Sequence, residues 1–226
     1  MQLAIDTSTE IASLAILQDD RIISEMTWHC GLNHSVEMYP RLQFLLSSAK
    51  LGIGSTDCVY VAIGPGSFNG LRVGVSAAKG LAFSLNARII GISTLEISAY
   101  QHALCGLPIC ALQNAGREEV AAAIYQQRPR GWREIAPAHL TTPPDLAHLI
   151  KERTLFCGEF DTAVAVRLKK LLRTRAVLAS PAARLRRAAY LAELGNKKRL
   201  AEAFDDPDTL QPLYLRRPPI TERKRI

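Results

Sequence analysis

Gly64-Pro65-Gly66-Ser67-Phe68-Asn69-Gly70-Leu71-Arg72-Val73-Gly74 joins an apolar run, Val59 to Ile63, to a run of helical character, Leu71 to Leu85. Strand, glycine-rich loop and helix in that order aim backbone N–H groups at the loop and favour a bound anion there. The loop matches neither common phosphate motif. Asn69 interrupts the spacing of a dinucleotide loop, and no Lys follows Gly70 as a P-loop requires. Two readings therefore stand side by side: a specialised anion loop, or a tight turn in which glycine supplies backbone freedom.

Outward from this loop the chain uses one grammar twice. Gln2–Asp6, Ile11–Gln18 and Arg21–His29 read as three strands joined by short turns. Helix 35–50, strand 58–63, helix 71–85, strand 88–92 and helix 95–104 follow. The second half repeats the order, with strands at 109–112, 119–126 and 132–136. Helix 144–151, strand 154–157, helix 162–172, strand 176–178 and helix 181–194 complete it. For that final helix, Ser180 is the expected N-cap, Pro181 the first helical residue and Gly195 the C-cap. The repeat predicts an α/β protein of two duplicated lobes, each a mixed sheet flanked by helices. The N-terminal lobe is expected over 1–106, carrying the glycine-rich motif, and the C-terminal lobe over 107–226. This is the architecture of the actin-like, hexokinase-like ATPases.

Several segments carry a family resemblance. The stretch Gly64 to Arg72 resembles the Gly-Pro-Gly-Ser-Phe-Thr-Gly-Leu-Arg of the bacterial TsaB (YeaZ) proteins of tRNA threonylcarbamoyladenosine biosynthesis, with Asn69 in place of the Thr. Ile5-Asp6-Thr7-Ser8, His34-Ser35, Ser93-Thr94-Leu95-Glu96 and Pro212-Leu213-Tyr214-Leu215-Arg216 agree with it. The resemblance implies the actin-like fold. It also implies a non-catalytic scaffold role in adding the threonylcarbamoyl group to adenosine 37 of tRNAs that read codons starting with A. The implied partners are a TsaD-like transferase subunit, a TsaE-like ATPase subunit, a second copy when the chain is alone, and tRNA through the complex. The family's Asp-Ala-Arg after the first strand of the second lobe is replaced by Asn114-Ala115-Gly116-Arg117. Any role of that Asp is therefore in doubt in this chain.

The residues limit the chemistry. If a nucleotide binds, Asp6 is placed to hold magnesium through water, with Gly66 and Ser67 near the phosphates. Asp and Ser/Thr are also ordinary turn formers. No cofactor is assigned, and Mg-ATP is expected to bind only weakly or only within an assembled complex. The metal of the related TsaD subunit needs two histidines four apart, but four residues after His34 stands Met38. No H-E-x-x-H occurs, and Ser67 has no nearby His–Asp pair in the sequence. The alternatives to a scaffold are an ATP-dependent enzyme of the same fold and, with less chemistry behind it, a glycoprotease-like peptidase.

Composition and charge agree with a cytoplasmic globular protein of 226 residues that is 48% hydrophobic, with no apolar run near ~20 residues and no leader-like start. The five cysteines are expected to be reduced, and most of them buried. Residues 167–226 hold 16 of the 28 Lys+Arg and 6 of the 21 Asp+Glu, so their net charge is +10. That charge fits either nucleic acid or a solvated helix face with a frayed tail from Glu222 to Ile226. The helix after the motif is rich in small residues, which let another element approach closely, either a partner's helix or this chain's own sheet or first helix. In the TsaB family this helix and the one before it pack on a partner. The resemblance therefore assigns the partner surface here to His34, Leu42, Arg72, Gly74, Ala77, Ala78 and Leu81.

Overall fold

A computed structural model describes residues 1–216, so the tail expectation for 222–226 lies outside the described residues. Strands β1 (Gln2–Asp6), β2 (Ile11–Gln18), β3 (Arg21–His29), β4 (Cys58–Gly64) and β5 (Arg88–Ser93) form one sheet in the order β3-β2-β1-β4-β5. Strands β6 (Ile109–Gly116), β7 (Glu119–Arg128), β8 (Gly131–Thr141), β9 (Thr154–Glu159) and β10 (Ala176–Leu178) form a second, ordered β10-β9-β6-β7-β8. In each, the first three strands pair antiparallel and the last two add in parallel. The duplication legible in the sequence is thus present in the topology.

The central strands are buried on both faces, so successive residues feed two different cores. In the first sheet Leu3, Ile5, Val59 and Val61 meet α1 (His34–Ser48) and α2 (Phe68–Leu85). On the reverse, Ala4, Tyr60 and Ile90 meet Ala188, Leu191 and Ala192 of α6 (Ala188–Leu200). In the second sheet Leu112, Val120 and Phe156 meet α4 (Pro143–Leu149) and α5 (Thr162–Leu172). Its other face packs Ala111, Ala121 and Cys157 against Leu95 and Ala99 of α3 (Thr94–Tyr100). The two lobes therefore exchange helices: α3 of the first half covers the second sheet, and α6 of the second half covers the first. Residues 205–213 return to the first sheet, where Asp205 N–H donates to the Ile89 carbonyl and Leu213 N–H to the Ile63 carbonyl.

The last helix corrects the sequence reading. Ser180 Oγ does accept the Ala183 N–H, but the result is a single 3-10 turn over 182–184. The chain is extended again at Arg187 before α6 begins at Ala188. Two side chains of the first sheet replace the local cap. Ser13 Oγ accepts the Ala188 N–H at 2.9 Å, and Glu25 Oε1 accepts the Ala189 N–H at 2.8 Å. Gly195 is not a C-cap but a mid-helix residue; a Cβ there would lie 2.4 Å from Cγ of the buried Tyr60 ring. Of the cysteines, Cys105 is exposed and the other four are buried, all as free thiols.

Candidate functional site

The β1–β2 turn lines, through Thr9 and Glu10, a cleft of about 780 Å³ between the lobes. Its far wall comes from Gln113 to Ala115 at the end of β6, Gly158 to Asp161 at the end of β9, and the segment around Pro181 to Leu185. Ligands of open α/β sheets bind at such strand ends. Asp6 does not face the cleft as a free carboxylate. Its Oδ2 accepts from Arg186 Nε at 2.5 Å and its Oδ1 from Arg186 Nη2 at 3.4 Å. Oδ1 also accepts the Ser8 N–H and hydroxyl at 2.9 and 2.6 Å. Side-chain exposure is 1% for Asp6 and 2% for Arg186.

Arg186 is fully engaged. Nη1 donates to Glu159 Oε1 at 2.6 Å and Nη2 to Thr9 Oγ1 at 3.0 Å, while Thr9 Oγ1 donates to the same Glu159 oxygen at 3.0 Å. Burial alone would pull the guanidinium down, yet Asp6 and Glu159 hold its pKa above the ordinary arginine value. Two carboxylates, one from each sheet, thus share one guanidinium carried on the strand-like segment before α6. The kink that ends the expected helix is what turns Arg186 inward. Nothing in the sequence distinguishes Arg186 from its neighbours Arg184 and Arg187, so sequence reasoning missed it; the only signal was a buried aspartate in need of a cation.

The glycine-rich loop closes on the same turn. A Cβ at Gly66 would lie 2.2 Å from the Ser8 carbonyl oxygen, and one at Gly70 would lie 2.1 Å from the Thr7 carbonyl oxygen. Ser67 N–H donates to the Ser8 carbonyl, Thr7 Oγ1 donates to the Gly70 carbonyl, and Ser67 Oγ caps the helix by accepting the Gly70 N–H. The glycines of the loop admit the backbone carbonyls of the β1–β2 turn, and the Ser67 N–H is used in that contact. His34 is buried beneath, with Nε2 2.7 Å from the Thr9 carbonyl oxygen. Met38, one turn further, is fully buried.

The residues assigned to a partner surface divide sharply. His34, Leu42, Gly74, Ala77, Ala78 and Leu81 are buried within this chain; Arg72 alone is exposed. Gly74, Ala77, Ala78 and Leu81 follow the i, i+3, i+4, i+7 pattern of a core stripe, and they pack on the first sheet. The outward face consists of other residues: Val36 (72% exposed) and Phe44 (62%) on α1, and Ser76, Gly80 and Phe83 (91%) on α2. A groove of about 470 Å³ beside Tyr39, Pro40, Gln43 and Ile53 continues it.

Two duplicated lobes of mixed sheets closing on a cleft define a protein of the actin-like ATPase fold. The family model described as "TsaD: tRNA N6-adenosine threonylcarbamoyltransferase" matches residues 29–222. The tRNA threonylcarbamoyladenosine biosynthesis protein TsaB of Bacillus subtilis is 32% identical over 95% of this chain and 93% of its own length. The TsaB of Haemophilus influenzae is 26% identical over 95% of this chain and 92% of its own. The solved structure of YeaZ from Pseudomonas aeruginosa superposes with a TM-score of 0.80 at 25% identity, over 94% of this chain and 99% of that one. The chain belongs to the TsaB (YeaZ) family. Among the described residues no helix is long and apolar enough to cross a membrane.

Proposed function

We propose that this chain is a non-catalytic docking subunit in the formation of threonylcarbamoyladenosine in tRNA. Its partner in this reading is a TsaD-like transferase subunit, with a TsaE-like ATPase subunit joining the assembly and a second copy taking the partner's place when the chain is alone. The observation that carries the reading is the Asp6–Arg186 pair. An ATPase of this fold needs a carboxylate at the first turn to hold magnesium. Here that carboxylate is neutralised by a buried guanidinium at 2.5 Å, and displacing an ion pair from so dry a site costs several kcal/mol.

The exposed apolar residues support the docking half of the reading. Val36 and Phe44 on α1 and Phe83 on α2 leave apolar area in water, and Gly80 and Ser76 leave room for a close helix. The test is calorimetric titration of Mg-ATP into the chain alone, with phosphate release followed in parallel. No saturable binding and no turnover are expected. Saturable binding with turnover that Asp6→Asn abolishes would replace this reading with that of an ATP-dependent enzyme.

A further inference from the structure

The second lobe carries a charged surface that the docking role leaves unused. Helix α5 and the turn after it, residues 162–175, hold five cations and no carboxylate. Lys169, Lys170, Arg173 and Arg175 are exposed, and none has a carboxylate partner among the described residues. Strand pairing extends the patch. Thr154 of β9 lies opposite Ala176 of β10, so the residues before them, Arg153 and Arg175, stand side by side at the same end of the sheet. Arg175 Nη1 also donates to the Ile150 carbonyl at 2.7 Å, which draws the loop with exposed Lys151 and Arg153 against the end of α5. Six cations thus gather with only Glu152 among them.

One or two cations at a helix C-terminus answer the helix dipole. Six are more than that role uses, and the positive potential they sum to attracts a polyanion. The patch lacks the apolar, aromatic centre of a protein interface: Val166 and Leu171 are its exposed aliphatics, and lysine is depleted in such centres. The aromatics of the surrounding segments, Phe156 and Phe160, are buried, so no stacking platform for unpaired bases is offered. Cations without base readers suit the phosphate backbone of a folded RNA. The duplication adds a steric argument. α5 occupies in the second lobe the place of α2 in the first, so a partner docked on α1 and α2 leaves it uncovered.

We infer that the surface formed by Lys151, Arg153, Lys169, Lys170, Arg173 and Arg175 binds the phosphate backbone of the tRNA directly. The choice of tRNA rests on the proposed role in tRNA modification. The test uses fluorescently labelled tRNA and the full chain between 50 and 200 mM KCl. Six phosphate contacts give a slope of log affinity against log salt of roughly −4 to −5. The triple variant Arg153→Ala, Lys169→Ala, Lys170→Ala should flatten that slope by about 2 to 3 and weaken binding at least about tenfold at the lowest salt. Its thermal midpoint should fall by only a few °C, because all three side chains are exposed and the loss is limited to the interaction of Lys169 and Lys170 with the α5 dipole. An unrelated structured RNA of equal length should show the same slope. Pull-down of the transferase subunit, read on the same samples, should be unaffected, so failure of the docking reading is seen separately. Equal affinity and slope for variant and wild type, or a wild-type slope shallower than about −1, overturns the inference.

Discussion

Replacing Arg186 by Met tests the cleft most severely. The side chains are of similar length, so the change removes charge and hydrogen bonds more than volume. Wild-type Arg186 donates to Asp6, Glu159 and Thr9. Glu159 is 30% exposed and can turn to water, but Asp6 at 1% cannot. The loss therefore concentrates on Asp6, which keeps only its two bonds from Ser8. Breaking a buried pair on one side costs about 3–5 kcal/mol. At about 2–4 °C per kcal/mol for a chain of this size, the thermal midpoint should fall by roughly 6–20 °C. Adding Asp6→Asn removes the stranded charge and should recover a large part of the fall. The assay is thermal unfolding followed by circular dichroism on the two single variants and the double. A shift below about 2 °C for Arg186→Met, or a double variant no better than the sum of the singles, would refute the assignment of a dry, mutually dependent pair.

One substitution made twice in the same helix should have opposite signs. Gly70→Ala places a methyl 2.1 Å from the Thr7 carbonyl and should cost about 1–3 kcal/mol or more in urea unfolding, whereas Gly80→Ala has nothing within 4 Å and should gain about 0.5–1 kcal/mol. Burial lifts the Glu96 carboxyl above the ordinary range, against the opposing influence of Lys198 and the Trp132 N–H bond. A raised carboxylate contributes stability that is present at acid pH and lost as pH rises through its folded pKa. Glu96→Gln keeps an acceptor for Trp132, so its advantage in thermal midpoint should be absent below about pH 4 and grow toward neutrality; a difference independent of pH would contradict this.

Much of the fold was legible because it is local. The strands of the first half, the strand–loop–helix unit and the repeat of that order all follow from period, punctuation and length. The start of α6 was not, because its caps belong to Ser13 and Glu25, more than 160 residues away in sequence. A Ser-Pro pair can only announce a turn, and tertiary contacts decide whether the helix continues. The site was legible in outline. Asp6, Gly66, Ser67 and His34 do converge on one turn, where they pack on one another, and Gly66 and Ser67 also line the cleft. Small residues in a helix do mark close approach. Their spacing, 74, 77, 78 and 81, was the spacing of an inward stripe, and the sheet of the same chain is what approaches. Ser76, Gly80 and Phe83 repeat at helical spacing too, so period alone does not tell the exposed stripe of this helix from the buried one.

The docking role is tested most directly by reconstituted threonylcarbamoyl transfer to tRNA, with the transferase subunit supplied together with wild-type chain or with a Val36→Asp, Phe83→Asp variant. Both positions are exposed, so the variant should keep its thermal midpoint. Each charge would be buried unpaired at the contact and should weaken pairing sharply. The account predicts that wild-type chain supports formation of modified tRNA, that the folded variant does not, and that the chain without the transferase forms none. Full activity with the variant, or modified tRNA made by the chain alone, would contradict it.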